Sequence, residues 1–284
     1  LRLSSKFALL GVLAVVMVAL PLLFYVMGVD QVRGVTRAEL DGLEPSRAML
    51  RVIQLTQQHR GLTATVLAGK ADAEPQRSAR QADVDQASDA FAAVLDRLGK
   101  DTRVHRDWAQ LSNDWRVLAK DVTASDMTGP QSFERHTALI ARQLELHVRI
   151  LDIAGVTLEP DPALYFLGLA TLQHAASLSE VLGQLRAVGS QTLVRKEVRP
   201  SQRAALLALV ERSTLLLNEV SLNLEKAYEE NPATKARLGD DAARLDAAVV
   251  AAQKLTREMV LGSDALTYAP RSEEHTSELQ SPLN

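Results

Sequence analysis

The chain has 284 residues, of which 24% are charged, and a formal net charge of −3. That balance excludes the basic stripe of a nucleic-acid binder and the charge density of a solvated acidic tail. Aromatic residues make up only 4% and Cys is absent, which excludes disulfides and thiolate metal sites; the Leu-, Ala- and Val-rich remainder suits long helices packed on one another.

The first element is an uncharged apolar run from Phe7 to Val29. A bilayer core takes roughly 20 apolar helical residues, and backbone groups in lipid must be paired internally, so the run predicts a membrane-spanning helix despite Pro21. It exceeds the h-region of a signal peptide and no small-x-small cleavage site follows it. Arg2 and Lys6 precede the run and Asp30 follows it, which orients the N-terminus to the cytoplasm and the body outside. Residues 1–29 are therefore expected to form a cytoplasmic stub and transmembrane helix, and residues 30–270 an exported body.

Apolar residues in the body recur at alternating spacings of 3 and 4, the seam of near-parallel packed helices. The first seam is Ala48, Val52, Leu55, His59, Leu62 and Val66, and the second Val84, Ala87, Phe91, Val94 and Leu98. Val104, Trp108, Leu111, Trp115, Leu118 and Val122 form a third. Leu164, Leu167, Thr171, His174, Leu178, Val181, Leu185, Val188 and Thr192 form the longest. Leu206, Val210, Leu217, Val220 and Leu224 follow, then Leu245, Ala248, Ala252, Leu255 and Met259. Breaks fall at Gly42 to Pro45, Gly69 to Pro75, Gly99 to Thr102, Ser125 to Ser132, Glu159 to Pro162, Arg199-Pro200 and Asn231-Pro232. Asp161 is the expected N-cap of the long helix, with Pro162 at its first position. Seven helices are predicted, over residues 45–69, 75–98, 103–123, 132–157, 162–196, 200–230 and 232–261. No segment alternates as a strand would, so the fold class is all-α: antiparallel helical bundles after an N-terminal transmembrane helix.

Composition changes after Pro270. Residues 271–284 are polar, resemble the translation of a sequencing adapter, and are set apart from the fold as an artefact.

A shift of 126 residues lays Gln58-His-Arg60-Gly-Leu-Thr-Ala-Thr-Val-Leu67 over Gln184-Leu-Arg186-Ala-Val-Gly-Ser-Gln-Thr-Leu193. Gln, Arg and Leu coincide, which describes two related helical halves. Arg60 and Arg186 each stand one position from a seam, at the border of core and solvent. Converging from two halves, their guanidinium forks suit the oxygens of a carboxylate, nitrate or phosphate. The plain alternative is a boundary Arg with its stem packed and its head in water or paired with Asp or Glu. Gln58 and Gln184 occupy matching echo positions and complete the candidate ligand-binding set. Gly61 and Gly189 stand beside the arginines where helices are expected to approach closely.

His59, His147 and His174 are read as buried histidines bonded to neighbours, and Trp108 and Trp115 as core. No metal-ligand spacing, nucleophile elbow or phosphate-cradling loop occurs, so neither a catalytic residue, a metal nor a cofactor is expected, and the fragment is read as a non-enzyme.

Gln54-Leu-Thr-Gln-Gln-His-Arg-Gly-Leu-Thr-Ala64, Pro160-Asp-Pro-Ala-Leu-Tyr-Phe-Leu-Gly-Leu-Ala170 and Leu182-Gly-Gln-Leu-Arg-Ala-Val-Gly189 resemble the extracytoplasmic helical sensors of bacterial transmembrane receptors, of the nitrate- and nitrite-sensing (NIT-like) and helical bimodular types. The resemblance implies a periplasmic, inner-membrane-anchored sensor of a small molecule or anion. It also implies a homodimer with helices 45–69 and 162–196 near its interface, and a chemotaxis output, or else a diguanylate cyclase or histidine kinase. An anion-sensing role for Arg60 comes from the same resemblance. A membrane-held coiled-coil scaffold is the alternative of another class; it requires unbroken heptads and no ligand.

Overall fold

The structure, a computed structural model, describes residues 42–96, 102–195 and 198–262. Every regular element among them is helical. Helix α1 covers residues 42–67, followed by α2 (Glu74–Leu95), α3 (Thr102–Thr123) and α4 (Gly129–Ile153). Then come α5 (Pro162–Gly168), α6 (Ala175–Arg195), α7 (Pro200–Glu230) and α8 (Pro232–Leu255). The all-α expectation with two helical halves holds. The longest described helix has 31 residues, and helices fold back on one another at short connections, which is not the unbroken rod of a scaffold.

The expected localisation as a single-pass inner-membrane protein with a periplasmic body is corrected. Among the described residues no helix is long and apolar enough to cross a membrane. The Phe7–Val29 run, on which that expectation rested, lies outside the described residues, as does the 271–284 tail.

Helices α1 to α4 enclose one core. Phe91 of α2 packs edge-to-face on Trp108 of α3 at 4.6 Å, and Met49, Leu55, Trp115, Ile140 and Ile150 are all buried around them. Burying such side chains is worth about 1.5–3 kcal/mol each. Contacts between α3 and α4 descend in one as they ascend in the other: Asp121–Arg135, Asp114–Arg142 and Asp107–Arg149 are ion pairs spaced seven residues apart on both helices. The two helices are therefore antiparallel and in heptad register. All six α3 seam residues named from the sequence are buried.

Helix α1 departs from the single stripe expected of it. Its Met49, Ile53, Thr56, Gln57, Arg60 and Thr63 are buried in addition to Val52, Leu55 and His59. Two faces are covered because α1 packs on α4 on one side and on α6 on the other. The break expected at Gly42 to Pro45 does not occur, since residues 42–67 are one helix. Gly42 instead serves close approach: a methyl there would overlap Ala154 Cβ at the end of α4.

The second half holds α5 to α8. Leu178, Leu185 and Leu193 of α6 face Leu206, Val210, Leu217, Val220 and Leu224 of α7, with Val249 of α8 closing one end. Asp161 caps α5 as expected, its Oδ1 accepting from the backbone N–H of Ala163 at 2.8 Å and of Leu164 at 3.2 Å. The long seam slips in phase, however. Up to residue 170 the buried positions are Ala163 and Ala170, not Leu164, which is 53% exposed. From Leu178 onward the expected positions Leu178, Val181, Leu185 and Thr192 are buried and Val188 is partly buried. A π-helical turn at Leu169–His174 inserts the extra residue that resets the phase. In α8 the seam is displaced by one residue, onto Val249, Gln253 and Thr256. Gln253 is drawn inward because its Nε2 donates to Ser213 Oγ (2.9 Å) and Thr214 Oγ1 (3.2 Å) of α7.

Candidate anion site at the α1–α6 seam

Contacts between α1 and α6 ascend together: Gln57 with Glu180, Arg60 with Gly183, Gly61 with Arg186. The helices that carry the sequence echo are thus parallel neighbours at nearly equal height. Each arginine crosses to a glycine of the opposite helix. A methyl on Gly183 would stand 3.0 Å from Arg60 Nη2, and a methyl on Gly61 3.2 Å from Arg186 Nη2. Both glycines are held small by a guanidinium. Gly189, expected to share that role, has nothing within 4 Å of its missing methyl.

Arg60 is not at the border of core and solvent; it is 1% exposed. Its end-on fork, Nη1 and Nη2, meets Glu180 at 2.6 and 3.1 Å. Nη1 also donates to Thr137 Oγ1 of α4 at 3.0 Å, and the guanidinium lies over the Phe133 ring at 5.4 Å. Glu180 is saturated with donors: besides Arg60 it accepts from Gln57 Nε2 at 3.0 Å and from Gln184 Nε2 at 2.7 Å. This is the Arg–carboxylate pairing of the plain alternative, but buried, where removing one partner costs about 3–5 kcal/mol.

The other edge of Arg60 is different. Nε is buried and has no hydrogen-bond partner among the described residues, and the same holds for Gln58 Oε1 and Thr63 Oγ1. An unpaired buried donor costs roughly 1–3 kcal/mol. The Nε–Nη2 edge is the side-on fork of a guanidinium, and a planar oxyanion can accept two parallel hydrogen bonds from it. Arg186 is the second cation of the site. Burial first, and the charge of Arg60 second, push its guanidinium below the usual range.

Of the residues named from sequence, Arg60, Arg186 and Gln184 meet at this seam, whereas Gln58 has a buried side-chain oxygen without a partner and, among the described residues, no contact that brings it to the others. Gln57, Thr137 and Glu180 were missed. Glu180 was discoverable in principle: it lies one turn before Gln184 on the same helix face, and an Arg entering a core requires a carboxylate.

Beside the site runs a chain of buried hydrogen bonds with one direction. Arg77 Nη1 can only donate, so His59 Nε2 accepts from it at 3.2 Å. His59 therefore carries its proton on Nδ1 and donates to His136 Nε2 at 2.9 Å. His136 in turn donates from Nδ1 to the Ser132 carbonyl at 2.7 Å. Burial first, then His136 and Arg77, lowers His59 to about 2; burial, helped by Arg60 and Arg135 and opposed by the bond to the Ser132 carbonyl, lowers His136 to about 4. His147, bonded to Ser46 Oγ at 2.9 Å, is lowered by burial to about 4. The expectation of buried, neighbour-bonded histidines holds for His59 and His147; His174 is only partly buried. No group of His, Asp or Glu among the described residues is arranged to hold a metal ion.

The family described as nitrate and nitrite sensing (NIT) matches residues 51–276. The chain belongs to this family. The NIT match begins within α1, spans both arginines and both halves, and reaches into the segment set apart at the C-terminus. No curated protein and no solved structure matches the chain.

Proposed function

We propose that this NIT module senses a small planar oxyanion of the nitrate class, held between Arg60 of α1 and Arg186 of α6. The observation that carries the reading is the Nε edge of Arg60, buried and without a partner among the described residues, with the half-buried Arg186 reaching the same seam. Glu180 occupies the other fork of Arg60, so the Nε edge is the part of that guanidinium left to a ligand. A bound oxyanion answers the unpaired donor.

Signalling follows from where the site lies. Helix α1 is bonded to the first half through His59–His136 and Arg60–Thr137, and α6 packs into the second half. An anion that bridges them selects one relative placement of the halves, and the shift is limited by its differential affinity for the two placements. On the family resemblance we further propose that the module works as a homodimer and serves a chemotaxis output, with a diguanylate cyclase or histidine kinase as the alternatives.

The test is nitrate and nitrite titration of the chain, followed by calorimetry and thermal melting. Saturation at 100 times Kd raises stability by about 2.7 kcal/mol. Arg60→Ala and Arg186→Ala abolish that rise while the helical spectrum persists. A response in both variants equal to the parent's rules the site out.

A further inference from the structure

We propose that Glu180 is the charge filter of this site, admitting singly charged oxyanions and rejecting doubly charged ones of the same shape; the inference rests on the oxyanion reading above. Glu180 is 5% exposed and cannot turn away to solvent. Its carboxylate is fixed by Arg60 on two bonds, by Gln57 and by Gln184. Gln57 is itself braced by Ser179, whose hydroxyl reaches Gln57 Oε1 at 3.5 Å. An oxyanion on the Nε–Nη2 edge of Arg60 therefore shares one guanidinium with an immobile negative charge on the adjacent fork.

Two opposing terms then act on the incoming anion. Attraction to the arginines grows in proportion to ligand charge, and so does repulsion from Glu180, while the desolvation penalty of burying an ion grows with the square of its charge. Glu180 thus lowers the attraction available per unit of ligand charge, and the doubly charged ligand is the one that fails to recover its desolvation. A Gln in the same place keeps the shape and an acceptor for Arg60 but removes the repulsion, which a dianion feels twice. The saturated donor set also explains the two glutamines. Neutral donors hold the carboxylate without cancelling its charge, which a Lys or Arg at 57 or 184 would do.

The experiment measures nitrate and sulfate binding to the full chain by calorimetry, in the parent and in Glu180→Gln. The sulfate-to-nitrate affinity ratio is expected to rise about tenfold or more in the variant, the order expected from removing one like-charge contact at an intermediate effective dielectric. An unchanged ratio, with nitrate still bound and still lost in Arg60→Ala, overturns the filter and leaves the oxyanion site standing. Absence of nitrate binding in the parent overturns both. If Glu180→Gln does not fold, the parent alone decides. Carbonate is planar like nitrate but doubly charged, and at an alkaline pH where nitrate still binds it must fail to compete. Equal competition by carbonate overturns the proposal.

Discussion

The two halves of the molecule are built from the same kind of helix and held by different means. In the first half, buried polar pairs cross between helices at fixed heights: Ser46–His147, Thr56–Gln143, His59–His136 and Arg60–Thr137 tie α1 to α4, and Trp115 Nε1 reaches Asp85 of α2 at 2.7 Å. Each bond is satisfied in one register, so sliding by a turn would leave several buried polar groups unpaired. In the second half the α6–α7 contact is leucines and valines, and Gln253 with Ser213 and Thr214 is the buried polar crossing seen among the described residues. Leu207, Leu215 and Leu222 on α7 are 45%, 66% and 47% exposed. Apolar seams tolerate small translations that hydrogen-bonded ones forbid. On that contrast the first half is the more firmly registered part, and the proposed anion site lies on the boundary between the two.

The sharpest way to break this comparison is at the boundary itself. Glu180→Ala leaves Arg60 buried without its carboxylate and is expected to destabilise the chain by about 3–5 kcal/mol in urea unfolding. The double variant Arg60→Met/Glu180→Leu, which fills the same space without charge, should recover most of that loss, because a buried ion pair is often no more stable than an apolar replacement. It should bind no nitrate. A double variant as unstable as the single one would show that the pair, rather than the uncompensated charge, holds α1 to α6.

Acid separates the halves next. His59, His136 and His147 all lie in the first half, and burial holds all three below the ordinary value of 6.5. Between the folded and unfolded values the unfolded chain binds more protons, so stability is fully present above about pH 6.5 and is lost as pH falls toward 4. Each histidine contributes a slope of up to about 1.4 kcal/mol per pH unit. His147→Gln, which keeps a partner for Ser46, should remove one proton's share of that slope in unfolding measured from pH 7.5 to 4.5, on an order-of-magnitude scale. An unchanged slope means His147 is not neutral in the folded state.

How far the sequence carried is clearest on the two helices that meet at the site. Period and breaks placed the described helices except at Gly42 to Pro45, which is helical, and at the π turn that interrupts the 162–196 helix, and the 126-residue echo put Arg60 and Arg186 at matching positions on what are parallel neighbours. The depth of Arg60 was not legible. A seam drawn through apolar residues assigns a charged side chain to the border, whereas α1 is covered on two faces and its second buried face is polar. The π turn at Leu169–His174 was likewise invisible, because the 3–4 spacing continues through it while the backbone gains a residue. Gln253 shows the same limit in α8: buried polar partners are chosen by what faces them, and a single chain's periodicity carries no record of that.

Glycine substitutions sharpen the boundary further. Gly189→Ala meets open space and replaces a helix-interior Gly, so it should stabilise the chain by roughly 0.5–1 kcal/mol and leave nitrate affinity unchanged. Gly183→Ala gains the same helix propensity but sets a methyl 3.0 Å from Arg60 Nη2. Its net effect on melting should be small, and its effect on nitrate binding a loss of about tenfold, on the order of 1.4 kcal/mol. Equal nitrate affinity in the two variants would mean that the Arg60 side fork is not where the anion sits.

The smallest effect tests whether register in the first half comes from its core or from its surface. Asp107, Asp114 and Asp121 pair with Arg149, Arg142 and Arg135 along α3 and α4. Their regular heptad spacing invites the view that they align the helices. Their exposure argues otherwise, because side chains 30% to 45% accessible keep much of their hydration and are screened by salt. Asp114→Asn should therefore change unfolding by about 0.5 kcal/mol or less, and less again in 1 M salt. The buried Thr56–Gln143 pair at the neighbouring α1–α4 contact should matter more, since Gln143→Leu deletes the amide donor to Thr56 Oγ1 in a packed core and leaves that hydroxyl only its bond to the Val52 carbonyl. If instead the surface substitution proves the more damaging of the two, the register of the first half is set by its outer charges, and the distinction drawn between a polar-locked half and an apolar one fails with it.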